Sequence, residues 1–268
     1  PLSNLTCPNP MSRHVLPISL LFFCFACCMP RKAENRQPNP NAGRLKQMEM
    51  PRSSRPNDNA MVFYKGFTVS YNPAHKTPDW VVWELTAAEA AATEVGRDKG
   101  FYQDENLDLP QACHEDYRGS GWSRGHVAPA ADMKWDAVAM HESCYFTNIC
   151  PQDKKLNNGV WNALENRCRA WAKTYGQLYV AAGPVYNGND SIIGDGVYVP
   201  SAFFKVVLTK IDGNWTGCGY VIDNAEPVFR QHEDYEVSID SVETITGIDF
   251  FYNLPDEIEE AVESVVWR

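Results

Sequence analysis

The hairpin written into residues 202–222 constrains this fold more than any other stretch. Ala202 to Ile211 and Thr216 to Ile222 read as strands, and Asp212-Gly213-Asn214 between them supplies turn residues. An Asp-Gly pair tolerates positive φ, so two apolar runs separated by it fold back as antiparallel neighbours. Further strands are expected at Phe67 to Tyr71 and Trp80 to Leu85, joined by a proline-containing connection. Others are expected at Leu178 to Ala182, closed by Gly183-Pro184, and at Val197 to Pro200. Helices are expected at Ala87 to Val95, Ser241 to Gly247 and Pro255 to Val266. One more follows from Val160, Trp161, Leu164, Cys168 and Trp171, which share a face at helical spacing. The pattern is α+β, a central antiparallel sheet with flanking helices.

With 44% hydrophobic residues, the chain can bury a substantial core, assigned here to one domain over residues 61–268. The N-terminus reads differently. From Met11, a short basic start precedes an apolar run from Val15 to Cys28 and then Pro30-Arg31-Lys32. Such a run is short for a membrane span and suits a signal peptide, so residues 1–32 are read as an export segment, with 1–10 upstream of the true start. Phe25-Ala26-Cys27-Cys28 is similar to a bacterial lipoprotein box, with lipid on Cys27 or Cys28; plain secretion is the competing reading. Residues 33–60, rich in Pro, Asn and Arg, read as a tether. The expected location is therefore outside the cytoplasm of a bacterium, as an outer-membrane or periplasmic lipoprotein or a secreted protein. Contact with a membrane would run only through that lipid. Beyond the leader lie Cys113, Cys144, Cys150, Cys168 and Cys218, some of which are expected to pair as disulfides in an exported chain.

The run Asp116-Tyr117-Arg118-Gly119-Ser120-Gly121-Trp122-Ser123-Arg124-Gly125-His126 concentrates chemistry. A histidine can exchange a proton near neutral pH. The planar fork of an arginine holds phosphate, and glycines let backbone and substrate approach closely. Together they suit acid–base chemistry on a phosphate. The other histidines, His114 near the groove included, read as structural. The net charge of −10 argues against nucleic-acid binding over the whole surface and leaves room for a small positive groove.

A second block follows, Thr147-Asn148-Ile149-Cys150-Pro151-Gln152 and then Leu156-Asn157-Asn158-Gly159. Asn157 is expected near the start of the helix that carries Trp161, as a metal ligand and as a candidate N-cap. Glu165 and Arg169 are expected to share a face as an i, i+4 pair. An asparagine oxygen is a neutral, hard donor suited to Mg²⁺, which keeps most of its waters.

These blocks resemble the DNA/RNA non-specific endonuclease family, ββα-metal nucleases that include secreted bacterial nucleases and mitochondrial endonuclease G. The resemblance rests on Gly121-Trp122-Ser123-Arg124-Gly125-His126, on the Thr147 to Gln152 block, and on Leu156 to Gly159 with Leu164-Glu165. It runs from about Val62 to the C-terminus, and Ser123 stands where the family motif usually opens with aspartate. It implies a ββα-metal motif and hydrolysis of phosphodiesters in DNA and RNA to 5′-phosphate ends. Mg²⁺ is the implied ion, with Mn²⁺ as a substitute. By position, His126 would be the general base, Asn157 the direct metal ligand, and Arg124 a contact to the scissile phosphate. Glu165 would position metal-bound water, and Asn148 would support His126 by hydrogen bonding. Arg97 falls where a further phosphate-binding arginine is expected, and Arg118 and Arg169 are candidate substrate contacts. Two other readings stay open: a binding module that has lost turnover, for which Ser123 gives room, and a phosphodiesterase for small esters.

Overall fold

The computed structural model describes residues 48–53, 60–227 and 231–267. The expected export segment, residues 1–32, lies outside these, as does most of the expected tether. The tether's described part is packed rather than loose: Glu49 and Pro51 are buried, and Arg52–Ser53 pairs with Ile248–Asp249.

In chain order the first six strands are β1 (Arg52–Ser53), β2 (Ala60–Phe63), β3 (Thr68–Asn72), β4 (Thr77–Thr86), β5 (Ser123–His126) and β6 (Ile149–Gln152). The rest are β7 (Gln177–Val185), β8 (Ile192–Ile193), β9 (Val197–Tyr198), β10 (Ala202–Ile211), β11 (Asn214–Asp223), β12 (Glu236–Val237) and β13 (Ile248–Asp249). The helices are α1 (Ala87–Ala91), α2 (His114–Tyr117), α3 (Ala137–Ser143), α4 (Lys154–Asn158), α5 (Val160–Tyr175), α6 (Ile239–Thr246) and α7 (Asp256–Glu263).

Seven strands form one antiparallel sheet in the order β12-β11-β10-β7-β4-β3-β2. The β10–β11 hairpin turns through Asp212 and Gly213 at φ 49° and 85°. These are the positive values of a primed turn, whose twist matches the strands it joins. Period-2 alternation then sorts β10 onto two faces. Phe203 and Val207 join the core beneath α5, whereas Phe204, Val206 and Leu208 pack with Ile239, Val242 and Val262 of α6 and α7. Lys205 shares the register of Phe203 and Val207, so its side chain enters the α5 side. Helix α5 buries Val160, Trp161, Leu164, Cys168 and Trp171, the stripe read from the sequence. Truncating Trp161 to alanine would cost about 3–5 kcal/mol.

Several boundaries differ from expectation, two of them for a visible reason. Helix α1 begins with a reciprocal Thr86–Glu89 capping box but stops at Ala91. Beyond it, the Thr93 amide bonds the Glu94 carboxylate, a local alternative to the helical ladder. Strand β7 continues through Gly183-Pro184 to Val185, because Gly183 has no Cβ to collide with the Asp79 carbonyl and the Phe204 ring. Cys113, Cys144, Cys150, Cys168 and Cys218 are all free, so the expected disulfides are not formed. Among the described residues, no helix is long and apolar enough to cross a membrane.

Candidate active site

Strands β5 and β6 form a separate antiparallel hairpin, with His126 opposite Ile149 and Gly125 opposite Cys150. Gly125 is required by contact: a Cβ there would overlap the side chain of Gln152. Helix α4 follows β6 directly and packs back on β5, which gives the strand–strand–helix unit implied by the motif. Asn148 sits at the base of the unit, fully buried. Its Oδ1 accepts from the Ala128 amide at 2.9 Å, and its Nδ2 donates to the Ala128 and Ser143 carbonyls at 2.9 and 2.8 Å. Its own carbonyl accepts from the Val127 amide at 3.0 Å. Asn148 therefore fixes the backbone just after His126, not the imidazole itself.

The His126 ring is half-buried. Phe101 lies 5.4 Å away between centroids, and the Cys144 sulfur is 3.9 Å from Nε2. Burial, with the Arg97 charge adding to it, pushes the imidazole down to about 3. It is neutral at physiological pH, and one ring nitrogen keeps a lone pair for a proton. Arg97 occupies a loop tied down by Asp98, whose carboxylate accepts from the Gly100 amide and the Tyr102 hydroxyl and pairs with His141. The same Arg97 charge acts on Glu165. Arg97, His126 and Glu165, separated in the chain, thus share one electrostatic neighbourhood.

Arg124, on the same strand as His126, lies over Phe101 and Tyr117 at 5.3 and 5.7 Å. Its Nε is buried without a hydrogen-bond partner. Among the described residues, neither Arg97 nor Arg124 forms an ion pair. Two guanidinium groups with no carboxylate of their own, beside a neutral imidazole, suit an anion.

Glu165 projects from α5 toward a buried polar cluster that the motifs did not reveal. Asp132, on the turn Ala130–Met133, is 1% exposed. It accepts from Arg169 Nη1 at 2.7 Å and from the Trp83 indole at 3.1 Å. Lys205 is fully buried, its Nζ 5.1 Å from the Trp83 ring and 4.7 Å from the Trp161 ring, with no hydrogen-bond partner. Burial raises Glu165 to about 7, against the lowering pull of Lys205 and, more weakly, of Arg169 and Arg97; Asp132 adds to the rise. Desolvation raises Asp132 as well, opposed by Arg169.

Several expectations meet a different arrangement. Arg169 does not pair with Glu165: its guanidinium is taken by Asp132 and, at 2.8 Å, by Asn166. Arg118 points outward and pairs with Glu115 at 2.7 Å, both side chains exposed. Neither arginine presents a free fork to a substrate. Asn157 is not an N-cap and does not lie on the long helix. Asp153 caps α4, and the helix breaks at Gly159 before α5 begins. The Asn157 carboxamide is half-buried and makes no hydrogen bond among the described residues. The one trio of described His, Cys, Asp or Glu side chains able to share an ion lies elsewhere, at Asp240, Glu243 and Glu263. Asp132 sits in Asp132-Met133-Lys134-Trp135, beside the histidine motif. Lys205 was visible only as a lysine interrupting an apolar strand.

The model of the family described as DNA/RNA non-specific endonuclease matches residues 46–257. The mitochondrial nuclease EXOG of Xenopus laevis is 34% identical over 208 residues, covering 71% of this chain and 58% of that protein. Mitochondrial endonuclease G of Bos taurus is 32% identical over 204 residues, 70% of this chain and 68% of that protein. A nuclease of the bacterium Nostoc is 30% identical over 220 residues, 78% of this chain and 79% of the other. The chain spans somewhat over half the length of the EXOG proteins it matches. Among solved structures, that of an EndoG/EndoGI complex aligns with a TM-score of 0.70 at 30% identity, over 75% of this chain and 89% of that one. These relatives overturn the expected location. Eukaryotic proteins named mitochondrial nucleases stand among the most similar, and with the Nostoc protein beside them nothing supports an exported bacterial lipoprotein.

Proposed function

The chain belongs to the DNA/RNA non-specific endonuclease family, and from that membership we propose that it hydrolyses internal phosphodiester bonds of DNA and RNA with a divalent metal ion, leaving 5′-phosphates and 3′-hydroxyls. The observation that carries this reading is the meeting of a neutral His126 with two unpaired arginines, Arg97 and Arg124, and with Glu165. A phosphodiester is a poor electrophile, so its cleavage needs an activated water and neutralised charge. His126 accepts the proton of the attacking water, a role worth roughly 10²–10⁴ in rate. Its proton affinity is low in the free protein, and the negative charge of a bound phosphate raises it. Arg124, its guanidinium held over the rings of Phe101 and Tyr117, offers its unpaired fork to a non-bridging oxygen, and Arg97 adds positive charge from its loop. Glu165 accepts hydrogen bonds from water at the site and so orients it. Asn148 keeps the His126 backbone in place.

Asn157 fits a metal whose inner shell is mostly water: one neutral carboxamide oxygen, unengaged by protein, from the helix packed on the histidine strand. Mg²⁺ is the ion we assign there, with Mn²⁺ as a substitute. Bound at Asn157, it would supply positive charge to a non-bridging oxygen and to the departing 3′ oxygen. The net charge of −10 confines attraction for nucleic acid to the neighbourhood of these arginines.

Digestion of plasmid DNA and of RNA, in Mg²⁺ and in EDTA, tests the reading. Cleavage should occur on both polymers, stop with EDTA, and fall by roughly 10²–10⁴ in His126→Ala. Asn157→Ala should depress it as well. Undiminished cleavage by the His126→Ala protein would remove the imidazole from its role.

A further inference from the structure

The structure carries a second candidate ion site, remote in function from the hairpin. Helices α6 and α7 lie side by side on the sheet face opposite α5. Asp240 and Glu243, three residues apart on α6, face Glu263 in the last turn of α7. One carboxylate oxygen from each lies within 4.8 Å of the other two. Acidic surface helices commonly gather such groups without consequence. What sets this one apart is Glu263, which is 94% buried and aimed into the cluster with an Oε1 that has no hydrogen-bond partner.

The surroundings make that carboxylate expensive. It stands at a helix C-terminus, where the aligned peptide dipoles disfavour negative charge. Glu259 precedes it by one turn, a like-charge i, i+4 pair. Asp249 is also close enough to act on both Glu243 and Glu263, and the charges that act most strongly on those two are acidic. The nearby cation is Arg52, whose guanidinium is engaged by Asp249 at 2.6 Å. Glu243 uses one oxygen to accept from the Phe250 amide at 2.7 Å and keeps the other for the cluster. Five carboxylates against one committed arginine can be relieved by shared protons or by a cation.

We propose that Asp240, Glu243 and Glu263 bind a Ca²⁺ ion that clasps α6 to α7. Oxygens lying within 4.8 Å of one another can be bridged by one Ca²⁺, whose contacts run about 2.3–2.6 Å. Ca²⁺ accepts irregular carboxylate geometry, with water completing its shell. Mg²⁺ demands octahedral geometry and gives up water reluctantly, which disfavours it here. With three protein ligands and an exposed rim at Asp240, the affinity belongs in the range of roughly 10⁻⁴–10⁻³ M.

The test follows thermal unfolding of EDTA-treated, dialysed protein carrying Asn157→Ala, which removes the proposed catalytic donor, while CaCl₂ is added. At free Ca²⁺ about tenfold above Kd, the midpoint should rise by roughly 3–6 °C. Glu263→Gln in the same background should bind roughly tenfold or more weakly and lose that rise. With Asn157 intact, Glu263→Gln should cleave nucleic acid in Mg²⁺ at the unsubstituted rate. If Glu263→Gln does not fold, the exposed Asp240→Asn serves in its place. The proposal is overturned by no midpoint change up to about 10 mM Ca²⁺, by an equal rise in both acidic-site variants, or by an equal response to Mg²⁺.

Discussion

Replacing Lys205 with methionine separates what the buried polar cluster does for stability from what it does for chemistry. Methionine matches the unbranched stem and fills the space between Trp83 and Trp161. The substitution forfeits two cation–π contacts, each worth about 0.5–2 kcal/mol. It also removes a buried ammonium with no hydrogen-bond acceptor, and exchanging buried charge for packed apolar volume is often neutral or stabilising by about 1–4 kcal/mol. The folded state should therefore hold, with an unfolding midpoint equal to or above that of the parent. Catalysis should move the other way. Lys205 is the strongest influence lowering Glu165, which burial has already raised to about 7. A close opposite charge is worth roughly 1–3 pH units, so at pH 7 the ionised fraction of Glu165 falls from about one half to roughly 0.1–10%. Cleavage at pH 7 should drop by roughly 5–500-fold and recover as pH rises, with the acid limb of kcat/KM displaced upward by at least one unit. Initial rates on a fluorescent duplex across pH 5.5–9.5, roughly the span in which Glu165 and its neighbours ionise, would measure this. An acid limb that stays where it was would refute the assignment of Lys205 to Glu165.

Two other outcomes follow from the buried charges. Asp132→Ala should lower stability by about 3–5 kcal/mol, because the half-buried Arg169 and the buried Lys205 lose the carboxylate between them and the Trp83 indole loses its acceptor. A midpoint loss of roughly 6–20 °C in calorimetry is expected. The second concerns pH. Glu243 and Glu263 are raised to about 7 and about 9, chiefly by burial. Folding therefore retains protons that the unfolded chain releases above about pH 4.5. Their contribution to stability is complete below that value and is lost as pH rises through 7 and 9. Urea unfolding of metal-free protein at several pH values should show that decline, which Glu263→Gln should flatten.

The sheet was legible because its strands are local statements: alternation, β-branched residues and a turn that only positive φ permits. The α5 stripe was legible for the same reason. His126, Arg124, Asn157 and Glu165 declared themselves in short motifs with fixed spacing. What escaped was pairing across distance. Arg169 looked like a partner for Glu165 because four residues separate them, yet Asp132, 37 positions away, binds it. Lys205 gave no local sign that its ammonium would end between two indoles; only the register of β10 against α5 decides that. Some of the cysteines were expected to pair on the strength of an export reading, and the folded chain leaves all five free.

The break at Gly159, where φ and ψ take −105° and −113° and a Cβ would strike the Lys155 carbonyl, has a geometric consequence. On one unbroken rod, Asn157 and Glu165 would stand about 12 Å apart along the axis and point about 80° away from each other. The elbow releases them from that screw rule. The long rod is locked to the sheet by its tryptophans and the short one by Leu156, so the spacing between carboxamide and carboxylate is set by the angle of the elbow and not by helical pitch.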